Sequence, residues 1–323
     1  MKELQDETRL TMSRLAPFFV ILGASLWGVD GIVLRPSLYN LPVPLVVFIE
    51  TSIVAVLLTS FFLKRFSQLK VLEYRDWLAF LGVAVFGGAI GTMAITRAFF
   101  YVNFVNLSIV IFIQKLQPVW AIVFAALLLK ERLPKAFFFW AALAIFGAYL
   151  MTFGGSLPTL KTGDKTPAAA LFALIAAAAF GSSTVLSKRA LKNVGFELGT
   201  YLRFALTAIL MLLLVLLLGH IPAISQVSPK QALIFLLIAF STGGPAIFLY
   251  YYGLKRISAS VATICELSFP LTAVVLEYFV RGNLLNLVQW TGVAILFGSI
   301  LRVTRIHLSP RNSNPGTNPP SAV

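Results

Sequence analysis

The sequence predicts an all-α membrane protein in which ten transmembrane helices form two inverted five-helix repeats around a central cavity. Three observations predict it. Hydrophobic residues fill 59% of the 323 positions and charged residues only 12%, about half the charged fraction of a soluble domain, and the mean hydropathy is +0.89. The apolar residues gather into runs close to the roughly 20 residues that a bilayer-crossing helix needs. Short motifs also recur in the same order at a spacing of 151 to 153 residues.

The elements follow in order. Residues 1–16 read as a cytoplasmic tail. Basic residues precede the first apolar run, as in a signal peptide, but the run continues to Val33 without a small-residue cleavage site. It is therefore an uncleaved first helix. Spans at 17–34, 43–63, 77–97, 104–129 and 136–153 make the first repeat, 17–153, with the third and fourth joined tightly by "RAFFYVNFV". The linker 154–167, "GGSLPTLKTGDKTP", is the longest polar stretch between spans and divides the chain near its middle. Spans at 168–187, 201–218, 231–252, 259–280 and 286–303 make the second repeat, 168–305. The tail 306–323 is polar and proline-rich, and is expected to be disordered and cytoplasmic.

Lys and Arg counts orient the bundle. The two ends and the even-numbered connections carry 18 of the 26 basic residues, whereas Arg35, Lys161, Lys165, Lys230 and Arg281 lie on the opposite side. Both termini are expected in the cytoplasm. The net charge of +14 is thus a topology signal facing anionic lipid rather than a nucleic-acid footprint.

The repeat is legible in three alignments. "ASLWGVDGIVLR" (24–35) matches "AAAFGSSTVLSK" (177–188), Pro118 matches Pro270, and Gly147 in "FWAALAIFGAYL" matches Gly298 in "WTGVAILFGSIL". Five spans is an odd number, so the second half enters the membrane upside down. Inverted repeats recur in transporters whose substrate site lies near the midplane between the halves.

The first-span "LWG", the proline followed by a long apolar run and "LLLKERL" (127–133), and the glycine-centred fifth and tenth spans resemble the drug/metabolite transporter superfamily, EamA type. The resemblance covers roughly residues 15–305. It implies a ten-helix fold around a central cavity and a role in moving amino acids, other small metabolites, sugar phosphates or toxic organic compounds, often outward. Three positions depart from the pattern. Gly282 and Asn283 stand where the first repeat has Glu131, Glu50 stands where members often carry Arg while its counterpart Arg203 keeps it, and Lys115 is unusual in a fourth span.

Ionisable residues within spans are costly when they face lipid and so normally face the bundle interior. Arg203 near a helix start reads as a snorkelling residue, and Arg97, Glu50 and Glu277 as interfacial or pairing residues. Lys115 lies about eleven residues, or roughly 16 Å, into the fourth span. Glu266 lies in the symmetry-related ninth, where it aligns with Gln114. Asp30 shares a helix face with Trp27. A proline within a helix frees the carbonyl four residues earlier. For Pro118 that carbonyl is on Gln114, and for Pro270 it is on Glu266. Such groups need protein or water partners, which favours a hydrated cavity at this level. The alternative is a buried Lys115–Glu266 ion pair that locks two helices. Gly243 and Gly244, followed by Pro245, read with Pro118 and Pro270 as hinges, and "FLYYYG" (248–253) brings Tyr251 toward the cavity.

No Walker-type loop, no metal-ligand cluster and no Ser-His-Asp set occurs in the sequence. An enzyme, a metal site and an organic cofactor are not expected. The single cysteine, Cys265, excludes an intrachain disulfide.

The expected function is secondary transport, as an exporter or exchanger, of small organic metabolites by alternating access in a bacterial plasma membrane. Lys115 would bind a carboxylate, Glu266 or Asp30 an amino group, and Trp27, Gln114 and Tyr251 the remainder, so amino acids and related zwitterions lead. Protons are the candidate coupling ion, with Glu266 or Asp30 as carrier. Alternatives are phosphorylated or organic anions, a lipid-linked metabolite, or a non-transporting scaffold or accessory subunit. Oligomeric state is not encoded in any motif.

Overall fold

The computed structural model describes residues 2–38, 40–101, 110, 113–156, 165–281 and 285–308. Among these every regular element is helical, and nine helices are long and apolar enough to cross a membrane. In chain order the spans are α1 (Arg14–Leu38), α2 (Val43–Phe62), α3 (Tyr74–Ala98), α4 (Gln117–Leu128, the shorter one), α5 (Lys135–Phe153), α6 (Pro167–Ala190), α7 (Phe196–Leu217), α8 (Pro229–Arg256), α9 (Ala259–Leu276) and α10 (Leu287–Ile306). The residues expected to begin the fourth span, most of the linker and the C-terminal tail from 309 lie outside the described residues, as does the side chain of Glu277.

The helices are apolar on their outer faces as well as inside. Leu217, Leu287 and Phe279 are among the most exposed side chains, an arrangement suited to lipid rather than water. Inside, alanines and glycines bring backbones close. A Cβ on Gly28 of α1 would lie 2.8 Å from the Phe269 carbonyl oxygen and 3.0 Å from Thr272 Cβ, both on α9. A Cβ on its counterpart Gly181 of α6 would lie 3.0 Å from the Gln117 carbonyl oxygen and from Trp120 Cβ, both on α4. The two contacts repeat each other at the spacing read from the sequence. They also cross between halves, since α1 meets α9 and α6 meets α4.

Three details differ from the sequence reading. The first helix extends back to Lys2, so the expected tail is a continuation of α1. At its other end α1 loosens into a π-helical turn, Asp30–Leu34, and a 3₁₀ turn, Arg35–Leu38. Arg35 therefore belongs to the span rather than to a loop. Gly147 aligns with Gly298 in sequence but touches Gly292: its Cβ would lie 2.7 Å from the Leu296 amide and 3.0 Å from the Gly292 carbonyl, whereas Gly298 faces open space. Helices α5 and α10 cross at that point.

The polypeptide is broken where the prolines require it. Turns at Lys115–Leu116 and Glu266–Leu267 interrupt the fourth and ninth helices. In both, tightened i→i−3 bonds replace the α pattern: Leu116 N donates to Ile113 O (3.0 Å) and Leu267 N to Ile264 O (3.1 Å). The rings of Pro118 and Pro270 supply the cause, because each lacks an N–H and crowds the carbonyl of residue i−4. The expected hinge in α8 is a π turn, Ala239–Gly243, with Gly244 opening the following helix and Pro245 in its first turn.

Candidate functional site

The two breaks face each other across a cavity of about 30 Å³, lined by Gln114, Lys115 and Gln117 on one side and Glu266, Phe269 and Pro270 on the other. Because each break ends one helical piece and starts another, it presents backbone polar groups and side chains at the same depth.

Glu266 is the hub. Its Oε2 accepts from Gln117 Nε2 at 2.6 Å, and its Oε1 accepts from Tyr250 OH at 2.6 Å and Thr184 Oγ1 at 3.1 Å. The carboxylate is thus bound by α4, α6 and α8 through three uncharged donors. Tyr250 in turn packs on Trp27 of α1, with ring centroids 5.2 Å apart. Lys115 is 7% exposed, and its ammonium donates to Thr152 Oγ1 of α5 at 2.7 Å. No ion pair joins Lys115 to Glu266, so the helix-locking pair considered from sequence is not formed. One further lining group is unsatisfied: Thr263 Oγ1 is buried without a hydrogen-bond partner.

Of the residues expected at the site, Lys115, Glu266 and Gln114 line the cavity, Trp27 packs on Tyr250 behind Glu266 without lining it, and Pro118 and Pro270 sit at its breaks. Asp30 does not join them. Its Oδ2 is 2.6 Å from the Arg35 guanidinium, which also reaches Glu50 at 3.1 Å. Tyr251 does not join them either. It is fully buried, shares a 2.9 Å hydrogen bond with Ser187 Oγ and accepts from Arg203 Nη1 at 3.3 Å. Arg203 is not a surface residue: α7 begins at Phe196, a full turn earlier than hydropathy suggests, and Arg203 lies half-buried beside Tyr251. Sequence reasoning missed Tyr250, Thr184 and Thr152. The repeated motif around Gly181 was the available signal for Thr184, since it lies three residues beyond that glycine.

Among the described residues no cluster of His, Cys, Asp and Glu is arranged to hold a metal. The family model of EamA-like transporters matches the chain twice, over residues 14–153 and 167–305, one match for each half. The chain belongs to the EamA-like transporter family. It is accordingly a transporter of small metabolites within the drug/metabolite transporter superfamily, an integral membrane protein and not an enzyme. The riboflavin transporter ImpX of Fusobacterium nucleatum is 42% identical over 289 residues, which cover 89% of this chain and 97% of that protein. The uncharacterized transporter YwfM of Bacillus subtilis is 28% identical over 176 residues, 54% of this chain and 57% of that one. A crystal structure of another protein superposes with a TM-score of 0.72 over 92% of this chain and 98% of its own, at 18% identity. That likeness shows that the two chains share a fold.

Proposed function

We propose that this transporter carries riboflavin or a closely related uncharged flavin across a bacterial plasma membrane, with both termini in the cytoplasm. The observation that carries the proposal is the 42% identity to a riboflavin transporter along nearly the whole of both chains. The site chemistry supports it. A flavin ring is planar, with an apolar rim and a pyrimidine-dione edge that offers one N–H donor between two carbonyl acceptors. Gln114, Gln117, Lys115, Thr263 and Glu266 supply both acceptors and donors around the cavity, and Phe269 supplies a flat apolar surface in its wall, with Tyr250 and Trp27 packed behind Glu266. The ligand is neutral, and the cavity wall carries one cation and one carboxylate, Lys115 and Glu266.

A volume of about 30 Å³ holds a water molecule or two, whereas a drug-sized ligand needs roughly 300 Å³ or more. The described conformation is therefore closed around the site. Opening at the α4 and α9 breaks and at the α8 π turn would supply the rest as 17–153 and 168–305 rock against each other. A second reading rests on one observation. Lys115 and Glu266, of opposite charge, line the same cavity, which also suits the two ends of an amino acid.

Binding to the purified protein separates the readings. Riboflavin at a hundredfold its dissociation constant should stabilise the fold by about 2.7 kcal/mol, and its fluorescence should be quenched on stacking. Gln117→Ala and Lys115→Ala should each weaken binding about tenfold, as expected for one hydrogen bond of about 1.4 kcal/mol. Stabilisation by amino acids and not by riboflavin would favour the zwitterion reading, and no response to either class would remove both.

A further inference from the structure

Threonines within the helices of this protein follow one habit. Thr51, Thr59, Thr96, Thr152, Thr200 and Thr291 each donate the hydroxyl to the carbonyl four residues earlier, at 2.7 to 2.9 Å. The bond satisfies a polar group where the bilayer offers no water. Thr263 departs from the habit. The Ala259 carbonyl stands in the same relation to it within the first piece of α9, yet among the described residues Thr263 Oγ1 is buried and meets no hydrogen-bond partner. A hydroxyl in that condition is unfavourable, and it gains by meeting a partner from outside the protein. Thr242 Oγ1 shares the condition, but it belongs to the α8 π turn and not to the cavity wall.

Thr263 stands in the wall between the two breaks. The α9 residues of that wall are Thr263, Glu266, Leu267 and Pro270, the spacing of one helical face. Glu266 N donates to Ala262 O at 2.9 Å, so the α pattern holds as far as Glu266, and Thr263 lies one turn before it on the same side. The two groups differ in what they offer. A carboxylate only accepts, at about four lone-pair sites. On Glu266, Gln117 fills one site of Oε2, and Tyr250 and Thr184 fill two of Oε1, which leaves Oε2 able to accept once more. A hydroxyl donates as well as accepts, and Thr263 has spent neither capacity. Across the cavity stand Gln114, whose amide can donate, and Lys115, which only donates. The wall therefore offers an acceptor together with donors on its own face and on the face opposite.

We infer that the Thr263 hydroxyl recognises the pyrimidine-dione edge of the substrate, donating to one ring carbonyl while Glu266 Oε2 accepts from the ring N–H. The inference rests on the flavin reading above and adds an orientation to it. A carbonyl, an N–H and a second carbonyl in a row need a donor, an acceptor and a donor, which is what this wall presents. A polyol tail makes no such demand, since each of its hydroxyls can play either part. The ring thus enters edge-first between the α4 and α9 breaks, and the tail points away from Thr263. The hydroxyl is covered in the closed conformation and meets the ring as the breaks part. The class of ligand is accordingly a planar ring with a dione edge, with or without a polyol.

Fluorescence titration of the purified full chain with riboflavin and with lumiflavin, which keeps the ring and carries a methyl group in place of the polyol, tests the assignment. Thr263→Val keeps the shape of the side chain and removes the hydroxyl, and should weaken binding of both flavins about tenfold. Thr263→Ser restores the hydroxyl and should bind both within about threefold of wild type. Without added flavin, Thr263→Val should melt at the wild-type temperature or above it, because the hydroxyl it removes has no partner inside the protein. Undiminished affinity of Thr263→Val for both flavins overturns the inference, as does failure of Thr263→Ser to restore it. Weakening confined to riboflavin overturns the orientation, since it places the hydroxyl on the tail. A Thr263→Val protein that melts well below wild type without flavin shows a structural bond and also overturns the inference. If the wild type binds neither flavin, the flavin reading falls and takes the dione edge with it, an outcome distinct from a wild type that binds and a variant that binds equally well.

Discussion

Glu131 offers the sharpest test of how the two halves are held together. It follows α4 in "LLLKERL", where Lys130 adopts a left-handed backbone with φ +54° that turns the chain toward the start of α9. There the Glu131 carboxylate accepts from the Ala259 amide at 2.7 Å, the Ser260 amide at 3.1 Å and the Ser260 hydroxyl at 2.6 Å. These amides belong to the first turn of a helix, where N–H groups have no partner within the helix and a negative charge is favoured by the helix dipole. Glu131→Gln keeps the shape and one acceptor oxygen but removes the charge and the second acceptor. Charge-assisted bonds are worth about 1.5–3 kcal/mol against about 0.5–1.5 kcal/mol for neutral ones, and the dipole adds about 0.3–1 kcal/mol. The expected loss is about 2 kcal/mol, or roughly thirtyfold in local opening. Amide hydrogen exchange at Ala259 and Ser260 should therefore accelerate by about that factor. The Val261 amide, which Ser258 Oγ caps independently at 3.3 Å, should change far less, and amides in α10 should not change. Exchange at Ala259 and Ser260 that stays within about threefold of wild type refutes the latch.

Two further comparisons follow. Gly147→Ala must push a methyl group into the α10 backbone and should lower the melting temperature, with an overpacking cost of about 1–3 kcal/mol, whereas Gly298→Ala, with nothing within 4 Å of its new Cβ, should be neutral or slightly stabilising; equal effects would contradict the crossing described for α5 and α10. Tyr250→Phe removes a donor from Glu266 and should weaken riboflavin binding about tenfold; Tyr251→Phe should leave affinity nearly unchanged while costing about 1–2 kcal/mol of stability through Ser187 and Arg203, and a reversed pattern in the binding titration would show that the two tyrosines have been assigned the wrong way round.

Much of the architecture was legible because the bilayer imposes long-range regularities on sequence. Twenty-residue apolar runs mark spans, and a duplicated half leaves motifs at one spacing even when identity has decayed. The proline breaks were legible for a local reason: a ring without an N–H disrupts the helix just ahead of it wherever it sits. What depends on rotation about a helix axis was not legible. Tyr250 and Tyr251 are neighbours in sequence but point about 100° apart, so one reaches Glu266 and the other Arg203. Gly298 and Gly292 lie on different faces of α10, and only the assembled crossing selects Gly292. Arg35 was misplaced for a third reason. Apolar runs end where hydropathy falls, yet the π and 3₁₀ turns carry α1 beyond that point, and the guanidinium folds back onto Asp30 and Glu50. Likewise Glu197 and Gly199 lower the hydropathy at the start of α7 and concealed the turn that carries Arg203 inward.

The departures from symmetry bear on mechanism because one family model matches each half of the chain. A protein built from two equivalent inverted halves would have inward-open and outward-open states of equal energy, and a gradient would have nothing asymmetric to act upon. Here Glu131 latches α4 to α9 at one face, while its counterparts Gly282 and Asn283 carry no carboxylate. Asp30, Arg35 and Glu50 gather at one end of the bundle, and Ser183, Lys188 and Arg203 take the equivalent places in the other half. The first difference biases which face is closed. The second gives the two ends of the bundle different charge, one carboxylate-rich and the other basic. A ligand can shift a two-state equilibrium only by its differential affinity for the two states.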